Sequence, residues 1–420
     1  MFHEGAAISF TEQLSFSKDL ISGASWSSPP IEEILHALLI VLGMSYWKLY
    51  CPKILRIKPF TLSRKQAVFW DLVYTKGLGE FFYRNNIDFR DLVHFPFDET
   101  VTTKAHRIQT EDVSLVLLGG GKDSIVTSEL LKSWNTSFSL FCMNFFAIHE
   151  RVAQKVGKSV ASMERTIDKK LLDLNRKPGT YNGHVPISSI YAFMGILAAV
   201  LCGRRYVIAS NEETASYGNV NYLGSEINHQ WSKSFEFEVA FQEYVKDSIT
   251  PDVIYFSLLR PMREIKIAEL FIRYRQYFGM FTSCNRNFTQ TKKPSTLWCG
   301  ECSKCAFVFL LLSAFLEKND LFSIFQKNLF SDNSLISVYQ ELLGLRGFKP
   351  FECVGTPEES KAAFYLMKKK GEFENDTVVL EITKSFGDDV ERFGDLVPRV
   401  LALSQDHKIP EPFAGSIMSL

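Results

Sequence analysis

The chain has 420 residues, is 46% hydrophobic and carries 47 basic against 47 acidic side chains, so its formal net charge is zero. That length allows roughly two or three domains with a large core. Its 36 phenylalanines speak against disorder, and neutrality without a basic tract disfavours a nucleic-acid partner. Eight cysteines in so long a chain do not make a disulfide scaffold, and the expected compartment is the reducing cytoplasm.

Met1 to Asp19 is acidic and polar, without the positive-then-apolar order of a signal peptide. Residues 1–30, rich in Ser and Gly and ending in Pro29-Pro30, read as a flexible arm. Ile31 to Tyr50 reads as a helix with Glu32 and Glu33 in its first turn, closed by Cys51-Pro52. Phe60 to Phe97 is dense in aromatics and holds Lys76-Gly77-Leu78-Gly79-Glu80. It suits a core-packing module or the floor of a ligand site, and 31–110 together form an N-terminal helical module. The longest apolar runs, Ile34–Tyr46, Phe193–Cys202 and Ala306–Leu316, fall short of the roughly 18 to 20 residues of a membrane span.

Val113 to Leu118 is a short apolar run, read as a buried parallel strand. It leads through Gly119-Gly120-Gly121-Lys122-Asp123-Ser124 into a helical pattern with Ile125, Val126, Leu130 and Leu131 on one face. Strand, glycine turn and helix make a phosphate cradle, because glycines let backbone N–H groups approach a polyanion and the helix N-terminus adds donors. A P-loop is excluded by Asp123 and Val116, and a dinucleotide fingerprint by Ser124. GGGKDS resembles the SGGxDS loop of the PP-loop ATP pyrophosphatases, with Gly119 in place of the first Ser.

From there strands and helices alternate. The predicted elements are a helix over 123–133, a strand over 137–146, a helix over 148–158 and a strand over 159–166. A helix over 188–201, a strand over 205–210, a long loop, a helix over 230–247, a strand over 253–259 and a helix over 262–276 follow. This alternation predicts an α/β fold, a doubly wound parallel sheet of PP-loop type spanning 111–283. Ligands of such sheets bind beyond the strands' carboxyl ends, which selects the loops 119–124, 147–150, 211–229 and 260–266.

Loop 211–229 is polar, with Asn211, Glu212, Glu226 and His229, and can hold Mg²⁺, position a nucleotide or stand solvated. Arg260, Arg263 and Lys266 gather at a strand end, suited to carboxylate or phosphate; the alternative is pairing with Glu264 and Glu269. Cys284, followed after fourteen residues by Cys299, Cys302 and Cys305, has the spacing of a tetrahedral Zn²⁺ site, with an iron–sulfur cluster as the rival. Cys51, Cys142, Cys202 and Cys353 stand alone and read as small buried residues.

After the cysteines, helices are expected over 306–316, 320–327, 334–344 and 358–370, the last capped by Thr356 with Pro357 following. A strand is expected over 377–382, and Lys368-Lys369-Lys370 reads as a helix C-terminus. The C-terminal region is thus a mostly helical stretch over 284–403 carrying the four-cysteine site, followed by a flexible tail, 404–420.

A phosphate loop followed by a CGxC-x2-C cluster resembles 7-cyano-7-deazaguanine synthase, which would imply an amide- or nitrile-forming or tRNA-modifying enzyme. A wider resemblance covers most of the chain. GMSYWKLYCP, QAVFWDLVYTKGLGEFFYRN, GGGKDS, ASNEETASYGNVN, NHQWSKSFEFE, YFSLLRPMREIKIAELF, FTSCN and LWCGECSKCAFVFL, in that order, resemble the ATP-dependent UDP-N-acetylmuramoyl-L-alanyl-L-glutamate epimerase family (MurL). The resemblance implies conversion of the terminal L-Glu of a UDP-muramoyl dipeptide to D-Glu, with ATP going to AMP and diphosphate, in peptidoglycan precursor synthesis.

That chemistry assigns Gly119, Gly120, Gly121, Lys122, Asp123 and Ser124 to phosphates and Mg²⁺. Asn211 and Glu212 fall to adenylate or metal contacts, and Arg260 and Arg263 to substrate anions. His229 is the favoured acid/base, with Lys233 and Glu226 next. Cys284 is a further acid/base only if it is not a metal ligand.

Overall fold

The computed structural model describes residues 8–21, 26, 29–288 and 296–420. Its centre is a six-stranded sheet. The strands are β1 (Gln13–Phe16), β2 (Glu111–Leu117), β3 (Phe138–Met143), β4 (Val160–Thr166), β5 (Arg204–Ala209) and β8 (Ile254–Ser257), in the spatial order β1-β4-β3-β2-β5-β8. All neighbours are parallel except β1, which pairs antiparallel with β4. A hairpin, β6 (Val220–Tyr222) with β7 (Ser225–Ile227), stands apart.

The parallel strands leave β2 toward β3 and then cross back to β5, so the order of connection reverses between β2 and β5. Loops on the two sides of such a point diverge and open a crevice at the carboxyl ends. The glycine loop follows β2 and the Asn211 loop follows β5.

Alternation along each strand fills two cores. On β2, Leu115 faces one and Val116 the other; on β5, Val207 and Ile208 divide the same way. One face carries the helices Lys122–Ser133, Ala147–Val156 and Glu264–Phe271 together with the C-terminal helices around Ser303–Ser313. The other carries Ile187–Leu201, Phe235–Ser248 and the N-terminal helices Pro29–Trp47 and Arg64–Gly77. The aromatic segment is core: Trp70 stacks on Phe193 at 5.2 Å and Phe69 on Tyr244 at 4.4 Å. Ser63 starts the Arg64–Gly77 helix through a capping box with Gln66.

Several expectations need correction. Of the arm 1–30, residues 1–7, 22–25 and 27–28 lie outside the described residues, but Gln13–Phe16 forms the sheet's edge strand, alternating exposed and half-buried residues. Residues 377–382 are not a strand. Thr377–Phe386 is a helix, because Val378, Val379 and Ile382 share one buried helical face while Leu380 is exposed.

The tail also has structure. Glu411–Met418 is a helix whose Phe413 and Ile417, four apart, are buried, with Phe413 5.0 Å from Tyr206 of the sheet. The helix expected from 230 is a single 3-10 turn, Trp231–Lys233, and then Phe235–Ser248, restarted by Ser234, whose side chain accepts from Phe237 N. Thr356 caps Pro357–Lys370 as expected, in a capping box with Glu359, and Gly371 closes it in the left-handed conformation. Among the described residues no helix is long and apolar enough to cross a membrane.

Candidate active site

The glycine loop is shaped by what it must avoid. Gly120 has φ +78°, a left-handed backbone, and a Cβ there would stand 3.1 Å from Ile148 Cγ1. At Gly119, which is exposed, a Cβ would meet nothing within 4 Å, so the outer side of the loop is open. Gly121 occupies the N-cap of a 12-residue helix, and Ser124 Oγ donates back to its carbonyl at 3.1 Å. Open glycine backbone at the start of a helix fits a polyanion.

Lys122 does not project into that opening. Its ammonium is fully buried and bonds Glu264 and Asp123. Glu264 Oε1 also accepts from Lys304 Nζ at 3.2 Å, so one carboxylate serves two lysines. Burial would raise the Glu264 carboxyl, but Lys122 and Lys304 outweigh it and bring it down to about 2. Glu212, also buried, is pushed up to about 7 by desolvation and by the charge of Glu264. The result is a set of three carboxylates, the buried Glu212 and Glu264 and the half-buried Asp123, interleaved with lysines.

Across the crevice, Asn211 Nδ2 donates to Ser257 Oγ at 3.0 Å, tying the end of β5 to β8. Arg260 is almost wholly buried and fully engaged. It pairs with Glu238 at 2.8 Å and donates to the carbonyls of Glu212 at 2.6 Å and Lys233 at 2.7 Å. It therefore braces the loop from within, in place of the outward anion contact expected from the sequence. Arg263 is more open, shared between Glu213 at 3.2 Å and Glu358 at 3.4 Å, while Lys266 pairs with Glu269 at 2.8 Å.

His229 and Lys233 come together, and they meet a residue the sequence left aside. His229 Nδ1 bonds Glu80, its ring is close enough to Cys353 for the two to shift each other's protonation, and Lys233 Nζ stands 3.3 Å from Cys353 Sγ. His184 completes the group, with Nδ1 3.4 Å from Glu80. Burial would lower the His229 imidazole, but Cys353 and Glu80 outweigh it and raise it to about 9. Burial would raise the Cys353 thiol, but Lys233, His229 and Lys304 bring it down to about 5. His184 is pushed down to about 3, by burial and by its charged neighbour His229. The resting group is thus a thiolate between an ammonium and an imidazolium.

The segment bearing Cys353 is strapped down by its carbonyls. Asn219 Nδ2 donates to Lys349 O and Pro350 O, Gln230 Nε2 to Val354 O, and Lys304 to Cys353 O. Cys353 is partly exposed, so the expectation of a small buried apolar residue fails there. It fails also for the half-buried Cys202 and holds for Cys51 and Cys142, whose buried thiols are pushed up to about 12.

Cys284, Cys299, Cys302 and Cys305 converge, with their sulfurs within 4.8 Å of one another, and could hold a metal ion. Cys305 Sγ lies 3.6 Å from Cys299 Sγ and 3.5 Å from Cys302 Sγ. The ligand atoms of Glu80, His184 and His229 likewise lie within 4.8 Å of one another. Glu226 falls elsewhere: it is exposed on β7, on a cavity of about 610 Å³ walled also by Lys76, Glu213, Tyr217, Trp231 and Arg260.

Sequence reasoning missed Cys353, Lys304, Glu80 and His184. Only Glu80 and Lys304 carried a signal, a charge inside an aromatic run and a lysine between two clustered cysteines.

Two protein families match the chain in succession. The MurL N-terminal domain family matches residues 2–258 and the MurL C-terminal domain family residues 280–394. A protein of Xanthomonas oryzae pv. oryzae named UDP-N-acetyl-alpha-D-muramoyl-L-alanyl-L-glutamate epimerase is 33% identical over 97% of this chain and 90% of its own length. Proteins of the same name from a Micromonospora species and Salinispora tropica are 33% and 35% identical, covering 97% and 84% of this chain and 91% and 78% of their own. The chain belongs to the MurL family.

Proposed function

We propose that this protein epimerises the terminal L-Glu of a UDP-muramoyl-L-Ala-L-Glu dipeptide to D-Glu, as the names of its relatives describe, and does so by adenylating the glutamyl carboxylate. The observation that carries the reading is the junction of two unlike groups. An open glycine loop at a helix N-terminus is joined by the chain Lys122–Glu264–Lys304 to a thiol, imidazole and ammonium cluster suited to acyl and proton chemistry.

The chemistry needs both halves. An α-proton beside a carboxylate is hard to remove because the product holds two adjacent negative charges. Converting the carboxylate to a mixed anhydride with AMP removes one charge, and diphosphate leaves. Gly119, Gly120 and Gly121 present backbone donors to the phosphates, with Lys122 and Ser124 at the helix start. Asp123 and Glu212, with Asn211 beside them, would hold Mg²⁺, which supplies charge neutralisation at the phosphates. Arg263 is the cation left to meet a substrate anion at the rim. His229 and Lys233, both protonated at rest, handle the α-proton.

The group of four cysteines suits structural zinc. Tetrahedral bonds of about 2.3 Å place thiolates roughly 3.8 Å apart, close to the observed spacing, whereas a 4Fe–4S cluster binds each thiolate to a different iron and a 2Fe–2S cluster splits them into two pairs, and both spread them. With all positions filled by protein, the ion has none open for substrate.

The test is diphosphate release from ATP, with and without the dipeptide, in D₂O. Dipeptide-dependent diphosphate with deuterium at the glutamyl α-carbon is the expected result. Diphosphate without exchange points to amide or nitrile synthesis, and its absence refutes adenylation.

A further inference from the structure

We infer that Cys353 is a catalytic nucleophile that takes the activated glutamyl group from AMP as a thioester, and that the α-proton is exchanged on that thioester. This rests on the adenylation reading above.

The first support is the arrangement of the side chains. Lys233 Nζ lies 3.3 Å from the Cys353 sulfur, and the imidazole of His229, anchored through Nδ1 to the buried carboxylate Glu80, interacts electrostatically with the same thiol. A thiol, an oriented base and a carboxylate that orients it are the parts of an activated nucleophile. The three come from residues far apart in the chain, on the helix Gly79–Arg84, the end of the Asn211 loop and the strap before Pro357. Cys353 is a partly exposed residue, whereas Cys51 and Cys142 are buried.

The second support is position. The Cys353 carbonyl accepts from Lys304, Lys304 bonds Glu264, and Glu264 bonds Lys122 in the glycine loop. One lysine side chain therefore separates the thiol's residue from the buried charges under the phosphate cradle.

The third is a difficulty that acylation removes. His229 and Lys233 are held as cations by the thiolate, with Glu80 and Glu212 adding to it, and a cation cannot accept an α-proton. When sulfur forms its bond to the glutamyl carbonyl, the carbonyl–phosphate oxygen bond breaks and AMP departs with the electron pair. The thiolate charge is gone, and His229 can give its proton to the departing phosphate. The neutral imidazole then takes the α-proton, whose electrons are held by the thioester carbonyl, and Lys233 returns a proton on the other side. Water attacks the carbonyl, the carbon–sulfur bond breaks to restore the thiolate, and Lys233 recovers its proton from that water.

The experiment quenches wild-type enzyme in acid during turnover with ATP, Mg²⁺ and the dipeptide in D₂O. It weighs the peptide containing Cys353 and measures α-deuterium, diphosphate and metal content. A dipeptidyl adduct on Cys353 is expected, with one metal ion per chain. Cys353→Ala should still form diphosphate, at a reduced rate that reports a folded glycine loop, while α-deuteration falls at least ~100-fold.

Wild-type deuteration by Cys353→Ala, an unmodified Cys353 peptide from enzyme in turnover, or a second ion bound through Glu80, His184 and His229 overturns the inference. Wild-type enzyme that forms no diphosphate removes the adenylation reading and the thioester with it.

Discussion

Lys304 Nζ stands 3.2 Å from Glu264 Oε1, and Lys304 lies in the chain between Cys302 and Cys305. The thiol cluster therefore fixes a charge beneath the glycine loop, since Glu264 is also the partner of Lys122. An ion held by the four cysteines would act on the charges beneath the glycine loop through this one side chain.

Stripping the metal should consequently silence the enzyme early. Incubation with a strong chelator is expected to lower metal content and dipeptide-dependent diphosphate formation in parallel, before global unfolding shows in circular dichroism. Metal-free protein with full diphosphate formation would refute the link.

Glu264→Gln leaves two buried lysines without their shared carboxylate. We expect a loss of about 3 kcal/mol in denaturant unfolding, since removing one partner of a buried pair strands the other. The pH dependence has a definite sign. The Glu264 carboxyl is lowered from 4.5 to about 2, so its contribution is present above pH 4.5 and is lost as pH falls toward 2. Unfolding curves of the variant across that window should lack this component of the acid loss.

Much of the crevice was legible before the fold was known. GGGKDS, the Asn211 loop and the cysteine spacing each combine turn chemistry with a period, and local signals of that kind survive folding. Arg260 shows the limit: its position at a strand end was readable, but whether it points to solvent or to Glu238 depends on a helix elsewhere in the chain. Cys353 was illegible for the same reason. A lone cysteine carries no period, and its character here comes from Lys233 and His229, 120 or more residues away. The 377–382 segment failed differently, since its β-branched residues suit a strand locally and the buried face that overrides them is tertiary.

Epimerisation should follow a bell-shaped pH profile. Below about 5 Cys353 gains a proton, and above about 9 His229 loses one, so kcat/KM is expected to fall on both sides of that interval. Glu80, His184 and Lys233 face the same pair and set its limits. Glu80→Gln should move the upper limb to lower pH, because it removes a negative charge that favours the imidazolium. An unmoved limb would show that His229 is not the group observed.

Gly120→Ala should fold less stably and bind ATP poorly. A left-handed φ with a methyl group against Ile148 costs ~1–2 kcal/mol, and relief requires the loop to shift from its phosphate-binding shape. A melting temperature and an ATP dissociation constant both equal to wild type would contradict this.

Arg260→Lys and Arg263→Ala should separate cleanly. A lysine cannot reproduce the fork that holds Glu238 and two carbonyls, so Arg260→Lys is expected to cost about 3 kcal/mol in stability and most of kcat. Arg263→Ala, which removes the pairs with Glu213 and Glu358, should cost less stability than Arg260→Lys and raise KM for the dipeptide. Similar stability losses in both would remove the distinction.

The shared carboxylate of Glu264 bears on how divisible this protein is. The two family regions part between residues 258 and 280, so Glu264 sits in the seam and Lys304 beyond it, while Lys122 lies in the first region. A gene cut ahead of Glu264 would yield a first fragment whose buried Lys122 keeps Asp123 alone of its two carboxylates, and a second with the four cysteines but no glycine loop. Neither half is a portable module. Swapping one between relatives would require the three charges to travel together, so that recombination within this lineage is constrained by a contact and not by the boundary a sequence comparison draws.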